Sequence, residues 1–80
     1  MATVVIGPVL MRLGGYRFDI WVEGKGVSIG YPYRRIEDAY YARNAAIRTS
    51  LQDRALGAVV CQTLDEFNAN SAEEEMMAAA

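Results

Sequence analysis

Apolar and polar residues alternate with a period of two along Tyr16 to Tyr33, YRFDIWVEGKGVSIGYPY. Tyr16, Phe18, Ile20 and Val22 point one way, and Arg17, Asp19, Trp21 and Glu23 the other. Beyond Gly24-Lys25, Val27, Ile29, Tyr31 and Tyr33 alternate with Ser28, Gly30 and Pro32. Such patterning marks half-buried strands. A two-residue Gly24-Lys25 turn with glycine first predicts Glu23 opposite Gly26 and Val22 opposite Val27. It also sets Ile20 opposite Ile29, Phe18 opposite Tyr31 and Tyr16 opposite Tyr33. Each apolar residue then meets another, and a one-residue slip undoes the match. The only tryptophan, Trp21, falls on the polar face with Ser28 across from it.

Gly14-Gly15 is a second two-residue turn signal. It predicts Leu13 opposite Tyr16, Met11 opposite Phe18 and Val9 opposite Ile20. Arg12 and Arg17 become neighbours on the polar face, and Pro8 lies beside Trp21. Gly7-Pro8 marks an edge, a bulge or a break, because proline donates no ladder hydrogen bond. Thr3 to Ile6 is read as a continuation of the first strand beyond that point. The result is a three-stranded antiparallel meander.

Periodicity then changes. Ile36, Ala39, Tyr40, Ala46, Ile47 and Leu51 recur at helical spacing, predicting one long helix over Ile36 to Leu56. Glu37 and Asp38 suit its start, Gly57 is placed as its terminating glycine, and Arg34 and Arg35 are poor N-caps. Ala58 to Thr63 reads as a fourth, edge strand. Capping-box patterns follow at Thr63 with Glu66 and at Ser71 with Glu74. The expected fold is α+β: a meander of three or four strands packed on one long helix, with a short C-terminal helical tail. Residues 1–64 form one domain, and 65–80 form an acidic tail, helical or flexible.

Composition narrows the function. Eighty residues make one domain near the lower limit for a self-sufficient core, which favours a partner or a homodimer. One cysteine excludes an internal disulfide and makes a reducing cytoplasm the expected compartment, that of a host cell if the gene is phage-borne. No segment approaches the about 20 apolar residues of a membrane span. Charge is split. Residues 1–64 hold all eight Lys and Arg against five acids; residues 65–80 hold Asp65, Glu66, Glu73, Glu74 and Glu75 and no base. The tail either covers basic groups of the body or meets a basic partner.

The sequence contains no histidine. That removes the commonest general base and the Ser-His and Cys-His arrangements. One cysteine cannot build a structural zinc site, and Gly24-Lys25-Gly26 lacks the spacing of a phosphate loop. The expectation is no enzyme, no metal and no cofactor, and a protein that binds another macromolecule.

Candidate contacts fall into four groups. Trp21, beside the small Ser28 and Gly30, is either a binding anchor or part of a second small core. Arg12 and Arg17, with Asp19 and Glu23 on the same face, form an anion site or an internal charge cluster. Arg34 and Arg35 sit where strand meets helix, suited to an anion or to nearby carbonyls and Glu37. Arg43 lies inside the apolar stripe of the helix, where it snorkels or meets a partner. Glu73, Glu74 and Glu75 are the tail's candidates.

The order of three strands and a helix carrying EDAYYARNAAI, over Gly15 to Ile47, resembles a widespread small module. The arm-binding domains of phage-type integrases, plant ethylene-response DNA-binding domains and YegP-like domains share it. The resemblance to the DNA readers implies groove recognition through the outer sheet face by Arg12, Arg17, Trp21 and Lys25. Asp19 and Glu23 on that face make direct nucleic-acid binding weak. In size and character the chain is also similar to small phage-encoded anti-CRISPR and other anti-defence proteins. That likeness implies an inhibitor docking on a nucleic-acid-handling protein complex, such as a CRISPR effector, by electrostatic complementarity.

Overall fold

The computed structural model describes residues 2–30 and 32–71. Strands β1 (Ala2–Ile6), β2 (Leu10–Arg12), β3 (Gly15–Arg17), β4 (Asp19–Val22) and β5 (Gly26–Ile29) precede helix α1 (Ile36–Gln52). Strand β6 (Leu56–Val60) and helix α2 (Leu64–Ser71) follow. The fold is α+β. One sheet has the order β5-β4-β1-β6, and β2 and β3 form a separate two-stranded ribbon.

The main sheet is mixed, where a purely antiparallel meander was expected. β1 runs antiparallel to β4 and parallel to β6. β1 is central, not a mere continuation. Its run Val4-Val5-Ile6 is buried throughout, as suits a strand covered on both faces. Val5 lies in a cluster with Trp21, Cys61 and Phe67. Val4 and Ile6 point to the opposite face, where α1 packs on β1 and β6.

The first predicted turn moves by one residue and the second lengthens by one. The first consists of Leu13 and Gly14, so Met11 pairs with Tyr16 and Arg12 with Gly15, while Leu10 lies opposite Arg17. Arg12 and Arg17 still share a face but lie diagonally, not opposite one another. The second contains Glu23, Gly24 and Lys25, closed by a 2.9 Å bond from the Lys25 N–H to the Val22 carbonyl. Val22 then pairs with Gly26, Trp21 with Val27 and Ile20 with Ser28. The predicted register survives at Tyr16 and Tyr33, which exchange backbone bonds of 2.8 and 2.7 Å.

Gly7-Pro8 is the break between the two sheets, where the chain bulges by one residue. Pairing resumes at Ile6 with Ile20 on one side and Leu10 with Arg17 on the other, leaving Gly7, Pro8 and Val9 against only Phe18 and Asp19. Phe67 packs directly over the bulge: a Cβ on Gly7 would stand 3.0 Å from its ring.

α1 starts as expected at Ile36, with Arg35 at the N-cap and no side-chain cap bond. It stops four residues before the predicted end. Asp53 turns the chain: its carboxylate accepts the Ala55 N–H at 2.9 Å and its carbonyl the Leu56 N–H at 3.1 Å. Aspartate favours such turns. Gly57 therefore lies inside β6 and terminates nothing. Thr63 caps α2 as expected, its Oγ1 accepting the Glu66 N–H at 3.1 Å, but the Glu66 carboxylate accepts the Gln62 N–H at 3.2 Å rather than that of Thr63, so the reciprocal half of the capping box is shifted by one residue. Of the expected tail, Asp65 to Ser71 is helical and held by the buried Phe67. The Ser71–Glu74 pattern and Glu73 to Glu75 lie outside the described residues. Among those described, no helix is long and apolar enough to cross a membrane.

Candidate interaction surface

The β2–β3 ribbon and the segment before α1 meet at one end of the molecule. Gly15 permits the meeting. It holds φ at +145°, and a Cβ there would run into the Tyr33 carbonyl oxygen. Gly14, at φ +96°, passes against the Pro32 ring. This close approach, fixed by the Tyr16–Tyr33 bridge, places the hairpin tip beside Pro32 and Tyr33, in the segment that leads into α1.

The side chains gathered there are unusually apolar for a surface. Leu13 is fully exposed and Met11 is 73% exposed. Tyr33, Ile36 and Tyr40 are also large, apolar and solvent-facing. Arg12, Arg34 and Arg35 lie on the same connections and are exposed. Arg35 pairs with Glu37 at 3.3 Å, but both side chains are largely solvated, so the pair holds the arginine weakly. Arg12 and Arg34 make no ion pair among the described residues. Aromatic, Met and Arg side chains are the groups enriched at protein interfaces.

The chain matches no family model, no curated protein and no solved structure.

The other sequence-predicted candidates are dispersed. Trp21 is 8% exposed, in the cluster with Val5, Cys61 and Phe67. The second helix is the cause: Phe67 of α2 closes over the face that Trp21 shares with Val5. Of the two readings of Trp21, the second core is the one observed. Arg17 donates to Asp19 at 3.3 Å with both side chains mostly covered, so this pair is internal. The Glu23 carboxylate accepts the Thr3 N–H at 2.9 Å and ties the β4–β5 loop to β1.

Arg43 is buried and neither snorkels nor faces a partner. Its Nε donates to the Gly7 carbonyl and its Nη2 to the Cys61 carbonyl, each at 2.7 Å. A planar fork fits this task where an ammonium would not. Only Arg12, Arg34 and Arg35 are thus brought together at the hairpin end. Sequence reasoning missed Met11, Leu13 and Tyr40 as surface groups; it ran the core face on through β2 and β3, which instead form a ribbon separate from the main sheet.

No cavity opens among the described residues, and no group of three or more His, Cys, Asp or Glu gathers there. Cys61 is buried. Burial pushes its thiol above the ordinary range; Glu66 adds to the shift and Arg43 partly offsets it. A protonated, covered thiol is a poor nucleophile.

Proposed function

We propose that this chain is a non-enzymatic docking protein that seats its hairpin end on another macromolecule. The observation that carries the reading is Leu13, fully exposed at a hairpin tip locked beside Tyr33. Exposed apolar groups rimmed by arginines suit an apolar depression edged with acids on a protein. The lack of histidine in the sequence supports binding over catalysis. We take the partner to be a nucleic-acid-handling complex of the host cytoplasm, blocked by an inhibitor of the anti-CRISPR type. In that reading Glu73, Glu74 and Glu75 add negative charge that meets the complex's basic groove.

A nucleic-acid module is the second reading. Arg12 and Arg34 favour it, being exposed beside Tyr33 without ion pairs among the described residues. Such a site tracks phosphates and stacks a base.

The test compares wild type, Leu13→Asp and Arg12→Ala. Copurification of a nucleic-acid-handling complex from host extract, lost in Leu13→Asp, supports docking. Salt-sensitive binding to DNA or RNA that Arg12→Ala weakens, with Leu13→Asp unaffected, supports the second reading and overturns the first.

A further inference from the structure

Among the described residues, the outer edge of β6 is open. Two hydrogen bonds fix the direction of its backbone groups: the Ala2 N–H donates to the Ala55 carbonyl at 3.0 Å, and the Cys61 N–H to the Ile6 carbonyl at 2.8 Å. Alternate residues of a strand turn their N–H and C=O groups to the same neighbour. Ala55, Gly57, Val59 and Cys61 therefore serve β1. Ala58 and Val60 point theirs away, on the side where β6 ends the sheet. Leu56 points its carbonyl the same way, its N–H being held by Asp53. Native edge strands are blunted by charge, proline or a bulge. Leu56–Val60, LGAVV, has no charge and no proline and pairs without a bulge.

The helix over this edge also leaves an apolar flank uncovered. α1 buries Ala39, Arg43 and Ser50. At 3.6 residues per turn, Ile36, Ile47, Tyr40 and Leu51 lie progressively to one side of that stripe, and Leu51 is 68% exposed. β5 and β6 run parallel, through β4 and β1. The right hand that such crossovers take turns this flank outward past β6 rather than inward over β4.

We infer that the chain forms a two-fold dimer by antiparallel pairing of β6 with β6 of a second copy, centred on Ala58. Ala58 then pairs with its own copy and Val60 with Leu56, joining two four-stranded sheets. The helices fit the same axis. Strands lie about 4.8 Å apart, so a helix seated between β1 and β6 stands roughly 5 Å from the axis. The two α1 helices are then roughly 10 Å apart, the spacing of helices in direct contact. Arg43 is level with Cys61 through its hydrogen bond, and Asp53 with Leu56. The axis at Ala58 accordingly passes near Leu51, with Ile47 one turn away. Leu51 and Ile47 seal the seam between the helices. The seam residues Leu51 and Ile47 are not among those of the hairpin end.

Sedimentation equilibrium of the full chain over a range of concentrations tests the inference. The expected mass is twice the 8.8 kDa of one chain. Ala58→Pro removes an N–H that β1 does not use, which an edge strand tolerates, and should give the monomer. Leu51→Lys should do so too, by setting like charges across the seam, with the circular dichroism unchanged. If Ala58→Pro unfolds, Leu51→Lys decides alone. Leu13→Asp should remain dimeric. A wild type that is monomeric at every concentration overturns the inference, whether its own C-terminal segment or a foreign strand covers the edge. So does a dimer that survives Leu51→Lys.

Discussion

The guanidinium of Arg43 reaches the carbonyl oxygen of Cys61 at 2.7 Å, and donates at the same distance to Gly7. Gly7 and Cys61 directly follow the parallel strands β1 and β6. One side chain thus binds α1 to the C-terminal ends of both. Removing it strands two carbonyls under the helix, at about 1–3 kcal/mol each. Arg43→Met should lower the denaturation midpoint most, and Arg43→Lys, which retains one donor direction, should fall between. A buried cation is also costly to desolvate, so the urea midpoints decide the sign. An Arg43→Met variant as stable as wild type would show that the fork contributes nothing net.

Trp21 gives a direct optical check on the register. As the only tryptophan, it supplies the whole indole emission. Opposite Val27 and Val5, beneath Phe67, it should emit to the blue of the denatured chain and resist acrylamide quenching. Had it faced Ser28 on an open surface, it would quench freely. Trp21→Ala should cost about 3–5 kcal/mol, as for other buried aromatics. That is a large share of the total for an 80-residue domain.

Local chemistry was legible and counting across turns was not. The start of α1, the interruption at Gly7-Pro8 and the Thr63 cap each depend on a few adjacent residues and were readable, whereas the Tyr16–Tyr33 pairing was reached by counting across a turn that proved one residue longer. The pairing of Trp21 with Val27 rather than with Ser28 depends on loop length. A three-residue loop at Glu23-Gly24-Lys25 fits the same glycines as a two-residue one, yet it reverses every side chain that follows. The α1 end was overrun because helical periodicity carries on past Asp53, whereas the aspartate's own turn bonds stop it. Phe67 was the missing clue to Trp21. It lies three residues after Leu64 on the helix that the capping box announces, so an apolar stripe was available to cover the sheet's second face.

Cys61 should resist thiol reagents in the native state and react at once on unfolding. Its raised pKa also has a sign. The unfolded thiol ionises first as pH rises past its ordinary value of 9.0. The folded state then holds the extra proton, and stability declines with further alkalinisation. Below that pH the contribution is fully present. Cys61→Ala should flatten the alkaline limb of a plot of unfolding free energy against pH. An unchanged limb would place its cause elsewhere.

Gly15 and Gly24 separate strain from collision. Both hold positive φ, +145° and +81°. A Cβ at Gly24 meets open space, so Gly24→Ala should cost about 1 kcal/mol from backbone strain alone. At Gly15 the added carbon also strikes the Tyr33 carbonyl, which is engaged with the Tyr16 N–H. Strain and displacement add, and Gly15→Ala should cost on the order of 3 kcal/mol. Thermal melts of the two variants measure the difference. The consequence for binding is sharper. The Tyr16–Tyr33 bridge is what joins the hairpin carrying Met11 and Leu13 to the segment entering α1, so Gly15→Ala should loosen the hairpin end while leaving the β1–β6 core folded. Partner binding through that end should then fall in Gly15→Ala and persist in Gly24→Ala. Equal binding by both would mean that the hairpin tip acts without the α1 entry segment.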